Sequence, residues 1–326
     1  MSGFGLDLVL WLQANLGFLT PLMQALSFLG TTEFLLLLGL TTYWCIDVRI
    51  GIRLGLLLVT GAALGGILKL AFHMPRPYWC DARVGPLAAE PTYGMPSIHA
   101  LYSWAIAPWL GGILRHRWGL AAGILLALGI SLSRLVLGVH FPGDVAAGFA
   151  AGLATLSAVF FGVRHLVPWL RRAGFPFQCL TALAASGILV ALQGVILAGI
   201  EPLPDPASWA ENAARIAPIF PRNPNHLVSL AGLAAGMGIG LAGMHRRARF
   251  DAGGPLEKRI LRFLLGFSVT LFLWGGLSIL WNEPAQPGAL VLRYIRYGLV
   301  GLWTAFGAPW IFLRWNLARR AEESTG

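Results

Sequence analysis

The chain has 326 residues, of which 56% are hydrophobic and only 12% charged, with a mean hydropathy of +0.69. Soluble domains carry about 25% charged residues, so this composition excludes an ordinary soluble domain and points to a membrane protein. The net charge of +10 does not indicate a nucleic-acid partner, because the basic residues fall in short groups between apolar runs and not on one solvated face.

A helix needs about 20 apolar residues to cross the hydrocarbon core. Runs of that kind stand at 8–29, 34–48, 51–72, 97–114, 118–139, 144–163, 177–199, 226–245, 263–281 and 297–313. The first carries Gln13, Asn15 and Gln24 and is amphipathic enough to lie in the interface instead of crossing it. The second is short, but Thr42, Tyr43 and Trp44 suit an interfacial end. The opening "MSGFGLDLVLWLQ" lacks the basic start and small-residue cleavage site of a removable signal peptide. Cys45, Cys80 and Cys179 stand far apart and form neither a metal-ligand pair nor a disulfide framework.

Ten spans place sixteen of the 24 basic residues on one side of the membrane and eight on the other. The richer side faces the cytoplasm by the positive-inside rule, which puts both termini there. A bacterial inner membrane with a periplasmic outer face fits this, as does an endoplasmic reticulum with a lumenal one. On the poorer side, Lys69, Arg76 and Arg134 lie at the outer ends of apolar helices, where topology has no use for charge. Ionisable residues at that depth point to function.

Three stretches converge on this outer face: "KLAFHMPRP" with Lys69 and Arg76, "MPSIH" with Ser97 and His99, and "SRLVLGVHFPGD" with Ser133, Arg134, His140 and Asp144. Lys69 and Arg76, seven apart, share a face of any helix that reaches so far. Pro75 and Pro77 stop the helix and leave Arg76 at a rim. The two arginines and the lysine supply donors suited to phosphate oxygens. Ser97 opens the fourth helix, where unpaired N–H groups favour an anion. Asp144 beside His140 fixes the ring tautomer and leaves the other nitrogen nucleophilic. His99 stands apart as a general acid. Taken singly, Lys69 reads as a snorkelling anchor, Ser97 as a helix cap and Asp144 as a cap after the proline turn; those readings must all be invoked at one place together.

The pattern Lys-x6-Arg-Pro, Pro-Ser-x-His and Ser-Arg-x5-His-x3-Asp resembles the three-part signature of the type-2 phosphatidic acid phosphatase superfamily. The resemblance covers roughly the first 165 residues. It implies an all-α, polytopic membrane helix bundle with a six-helix phosphatase core at 1–165, followed by about four further transmembrane helices at 166–326. It also implies metal-independent, cofactor-free hydrolysis of a lipid phosphate through a phosphohistidine. His140 would then be the nucleophile, Asp144 its orienter and His99 the acid. Lys69, Arg76, Ser97, Ile98, Ser133 and Arg134 would hold the phosphate. The family usually has glycine where this chain has Ile98. Sphingosine-phosphate phosphatases, a branch of the superfamily, also lack that glycine, which favours a long-chain or single-tailed lipid phosphate. A phosphotransferase using the same phosphohistidine, and a transporter or scramblase with a vestigial core, are the rival readings. Residues 201–225, with Trp209, are expected to cover the mouth of the site.

Overall fold

The computed structural model describes residues 3–114, 116–280 and 287–321. In chain order the helices are α1 (Gly3–Leu16), α2 (Thr20–Leu29), α3 (Thr32–Cys45), α4 (Val48–Phe72), α5 (Pro77–Cys80), α6 (Ile98–Ile113), α7 (Gly119–Val136) and α8 (Pro142–Phe161). They continue as α9 (Val167–Arg172), α10 (Phe175–Ile200), α11 (Ala207–Ala214), α12 (Asn225–Arg247), α13 (Leu256–Leu271), α14 (Leu277–Leu280), α15 (Pro287–Leu302) and α16 (Ala308–Arg314). No strand forms among the described residues beyond an isolated bridge between Phe250 and Arg320. The protein is a polytopic all-α membrane protein.

Among the described residues, seven helical segments are long and apolar enough to cross a membrane. The runs at 34–48 and 97–114 form α3 and α6, of 14 and 16 residues. At 1.5 Å per residue these reach about 21 and 24 Å, short of the roughly 30 Å core. The run at 263–281 falls within α13 and α14, except for residue 281, which lies outside the described residues. The run at 297–313 is the second half of a helical stretch from α15 to α16, joined by a π turn. The first run is broken by a 3₁₀ turn, Gly17–Leu19, into α1 and α2. One of its polar residues ties it to a later part of the chain: Gln13 exchanges two hydrogen bonds with the backbone of Gly85, at 2.7 and 3.2 Å.

The chain forms two compact units. The first comprises residues 1–35, 60–159 and 193–223, and the second 36–59, 160–192 and 224–326. In the first, glycines set the helix spacing. A Cβ at Gly148 would lie 2.6 Å from the carbonyl oxygen of Ser97, and one at Gly152 2.6 Å from that of Leu101. Two missing side chains, one turn apart, let α8 press onto the backbone of α6. That contact carries the start of α8 against the start of α6. Gly138, in the left-handed region at φ +71°, turns the chain between α7 and α8.

The second unit is organised around Trp44, Phe250 and Phe312, all buried. Its π turn Trp303–Gly307 offers carbonyls that a regular helix would engage. Tyr43 donates to the carbonyl of Ala305 at 2.9 Å, and the Trp44 indole to that of Thr304 at 3.2 Å. These bonds let two amphipathic aromatics be buried without a polar penalty.

Candidate active site

The α4 helix ends at Phe72, and His73 follows in the left-handed region at φ 37°. Lys69 therefore sits in the last turn, while Arg76 stands outside the helix in extended backbone, capping α5. The helix does not reach Arg76, so no helix face is shared; the two cations meet at the Tyr93 carbonyl. Nor is Arg76 at a rim, since it is 1% exposed.

Burying Arg76 demands acceptors for its donors, and the loop of residues 81–97 supplies most of them. Arg76 Nε donates to the Thr92 carbonyl at 2.6 Å, and Nη2 to the Tyr93 carbonyl at 3.1 Å. Nη1 donates to the Val139 carbonyl at 3.1 Å and approaches His140 Nε2 at 3.2 Å. Lys69 Nζ donates to the same Tyr93 carbonyl.

Ser97 is the residue before α6, and its N–H donates to the Asp144 carbonyl at 2.9 Å. Its hydroxyl is buried and has no hydrogen-bond partner among the described residues. An orphan hydroxyl at the positive end of a helix is suited to an anion. Ile98 begins the helix proper and does not require positive φ. Its side chain lies against Gly65 of α4, in the space that a Cβ there would occupy. His99, half-buried, packs beside Gly30 and makes no hydrogen bond among the described residues.

The third stretch delivers its residues from the end of α7 and the start of α8. Helix α7 stops at Val136, so His140 belongs to the connecting loop and not to the helix end. Asp144 lies in the first turn of α8. His140 Nδ1 is 3.2 Å from Asp144 Oδ2, which also accepts the Phe141 N–H at 2.9 Å. Nδ1–H donating to the carboxylate leaves Nε2 as the lone-pair nitrogen, facing Arg76. Burial first, then the charges of Arg76, Arg134 and Lys69, hold the His140 imidazole neutral well below its ordinary pKa. Ser133 donates to the carbonyl of Ile130 at 2.6 Å, so its proton stays within α7.

Three buried cations need counter-charge, and a residue without a role in the sequence reading provides it. Glu90 Oε1 accepts from Arg134 Nη2 at 2.6 Å, and Oε2 lies 3.6 Å from Arg76 Nη2. Burial alone would raise the Glu90 pKa, but the two arginines outweigh it and hold the carboxyl at about 2. Arg134 also donates to Ser27 of α2. The signal for Glu90 was its rarity: it and Asp81 are the sole carboxylates in residues 81–97.

The structure thus gathers Lys69, Arg76, Ser97, Arg134, His140 and Asp144 at one place, with Glu90 among them. Residues 50–168 match the PAP2 superfamily, and residues 228–320 match the PAP2 superfamily phosphatase transmembrane extension. The chain carries a PAP2 superfamily domain followed by the PAP2 transmembrane extension. This PAP2 protein is 26% identical over 167 residues to a probable sphingosine-1-phosphate phosphatase of Dictyostelium discoideum, covering 46% of this chain and 40% of the relative. It is 28% identical over 149 residues to phosphatidylglycerophosphatase B of Bacillus subtilis, covering 41% of this chain and 70% of the relative. It is 42% identical over 60 residues to the lipid A 4'-phosphatase of Bacteroides thetaiotaomicron, covering 18% of this chain and 27% of that relative. The chain thus spans well under half the length of the first and last of these. No solved structure matches it.

Proposed function

We propose that this PAP2 protein hydrolyses a lipid phosphomonoester or pyrophosphate at the non-cytoplasmic face of the membrane, through a phosphohistidine and without a metal. The observation that carries this reading is the His140–Asp144 pair, with Nδ1 on the carboxylate and Nε2 turned toward the buried Arg76. His140 Nε2 forms a bond to phosphorus as the bond from phosphorus to the lipid oxygen breaks, and His99 gives that oxygen its proton. Water then attacks phosphorus while His99 takes up a proton and the N–P bond breaks, which returns both imidazoles to their starting states. Arg76, Arg134, Lys69 and the Ser97 hydroxyl hold the phosphoryl oxygens and the charge that develops on them. The named activities of the relatives, all on lipid-linked phosphates, support the substrate class.

The test is phosphate release from a panel of lipid phosphates by the purified protein, beside His140→Ala and His99→Ala. Loss of release in both variants, with radiolabelled phosphate trapped on the wild-type protein in acid-quenched samples, is the expected result. Unchanged release by His140→Ala overturns the mechanism.

A further inference from the structure

The carbonyl of Tyr93 is the shared acceptor for Lys69 and Arg76, the two cations of the first motif. The position of Tyr93 therefore sets the distance and direction between them. Its phenol end is held by another part of the chain. Tyr93 Oη donates to the carboxylate of Asp205 at 3.0 Å and accepts from Arg222 Nε at 3.0 Å. Asp205 and Arg222 pair with each other at 3.0 Å. Arg222 spends its remaining donors on the carbonyls of Ile200, at 2.7 Å, and Leu203. Burial pushes the Tyr93 phenol up to about 12, so it stays a donor through the physiological range.

The same segment is fastened to the site loop at further points. The Phe220 N–H donates to the Pro91 carbonyl at 2.9 Å, two residues before Tyr93. Asn212 donates to the Trp79 carbonyl at 3.0 Å, and Trp209 packs on Trp79 with ring centres 6.2 Å apart. Trp79 in turn packs against Tyr93 at 6.3 Å. The attachment runs from Trp79 and from Pro91 to Tyr93, all following Arg76 in the chain, to residues 200–222, which lie outside both matched family regions. Since one carbonyl carries two cations, a shift of one residue misplaces both donors at once. Misplacement by about 1 Å is enough to cost on the order of a hundredfold in a phosphoryl-transfer site.

We infer that residues 200–222 set the geometry of the phosphate-binding cations, with Tyr93 as the positioning residue that joins the Asp205–Arg222 pair to Lys69 and Arg76. This inference rests on the phosphate-site reading above.

Orthovanadate, a mimic of the five-coordinate phosphoryl group, is titrated into the purified full chain and into Tyr93→Phe, Asp205→Asn, Arg222→Gln and Arg83→Ala. Tyr93→Phe keeps the ring packing and loses only the hydroxyl, so it carries the test if Arg222→Gln does not fold. Weakening of vanadate binding by about tenfold is expected in the first three variants, with Arg83→Ala unchanged. Any activity found on lipid phosphates is expected to lose kcat by the same factor, with KM moved less. A merely structural role predicts lower thermal stability with unaltered vanadate affinity. Wild-type affinity in folded Tyr93→Phe and Asp205→Asn overturns the inference, as does a wild-type protein that binds no vanadate. Coupled vanadate binding without phosphate release from any lipid would leave the inference standing and overturn the phosphatase reading.

Discussion

Arg76 Nη1 lies 3.2 Å from Nε2 of His140, on the opposite side of the ring from Asp144. In the proposed mechanism, the nitrogen that would attack phosphorus is thus already in contact with the guanidinium that would bind the phosphoryl oxygens. On the proposed reading, this N–H would exchange the ring nitrogen for a phosphoryl oxygen when substrate binds, while Nε and Nη2 stay on the carbonyls of Thr92 and Tyr93. A lysine keeps the charge but cannot span these acceptors from a fixed planar fork. Arg76→Lys is expected to lower kcat/KM by about a thousandfold. Phosphate release kinetics check this, and a loss below tenfold would show that charge alone suffices.

If His140 is the nucleophile, as proposed, its neutral state sets the acid limb of the pH profile. A depressed pKa means that the imidazole stays unprotonated, and nucleophilic, as pH falls through about 6.5, and is lost only at lower pH. The acid limb of kcat/KM, measured from about pH 4 to about pH 8, is therefore expected below the ordinary histidine value. Asp144→Asn removes the carboxylate that orients the ring and is expected to cost about a thousandfold in kcat. A limb at or above about 6.5 would mean that the attacking group is a solvated histidine.

Glu90 is the counter-ion that makes two buried arginines tolerable before substrate arrives. Glu90→Gln leaves Arg134 with a neutral acceptor, at an expected cost of about 2 kcal/mol. That is less than for a fully enclosed pair, because the Glu90 side chain is 24% exposed and the amide oxygen still accepts a hydrogen bond. With a folded pKa of about 2 against about 4.3 unfolded, the carboxylate's stabilisation is fully present above about pH 4.3 and is lost as pH falls through about 2. The variant's deficit is then constant from about pH 5 upward and shrinks in stronger acid. Inorganic phosphate supplies the missing negative charge, so it is expected to raise the unfolding midpoint more in Glu90→Gln than in wild type. Equal shifts in the two proteins would separate Glu90 from the anion site.

The residues legible in the sequence were those whose side chains carry charge at fixed spacing. Lys69, Arg76, Arg134, His140 and Asp144 were found that way, although Arg76 lies beyond the end of α4 and joins the others through backbone carbonyls and not by helical periodicity. Backbone carbonyls have no such signature. The acceptors at Thr92, Tyr93 and Val139, which hold Arg76, became visible only in three dimensions. Residues 201–225 were expected over the mouth of the site on the strength of Trp209. The fold ties Trp209, Asn212 and Phe220 to the stretch from Trp79 to Pro91. Helix lengths follow the same logic: apolar runs locate α3 and α6, but their ends are set by turns and packing that hydropathy does not encode.

Orientation can be read from native thiols. Cys80 is exposed at the end of α5, beside the site, while Cys45 is buried. If the site faces outward, a membrane-impermeant maleimide added to intact cells is expected to label the protein, and Cys80→Ser to abolish that labelling. Labelling that appears only after the membrane is opened would place the site on the cytoplasmic face and reverse the charge-based topology.

Ile98 stands where the family usually has glycine, and its side chain points toward Gly65 of α4. The backbone at this position is ordinary helix, so glycine gains nothing conformationally and loses both a side-chain contact and helix propensity. Ile98→Gly is expected to cost about 2 kcal/mol of stability. Its ratio of kcat/KM for single-tailed over two-tailed lipid phosphates is expected to stay within about twofold of wild type, because the lost atoms fill a gap between two helices. A change in that ratio above tenfold would mean that Ile98 reads the lipid directly. It would also restore the substrate preference that the sequence alone suggested.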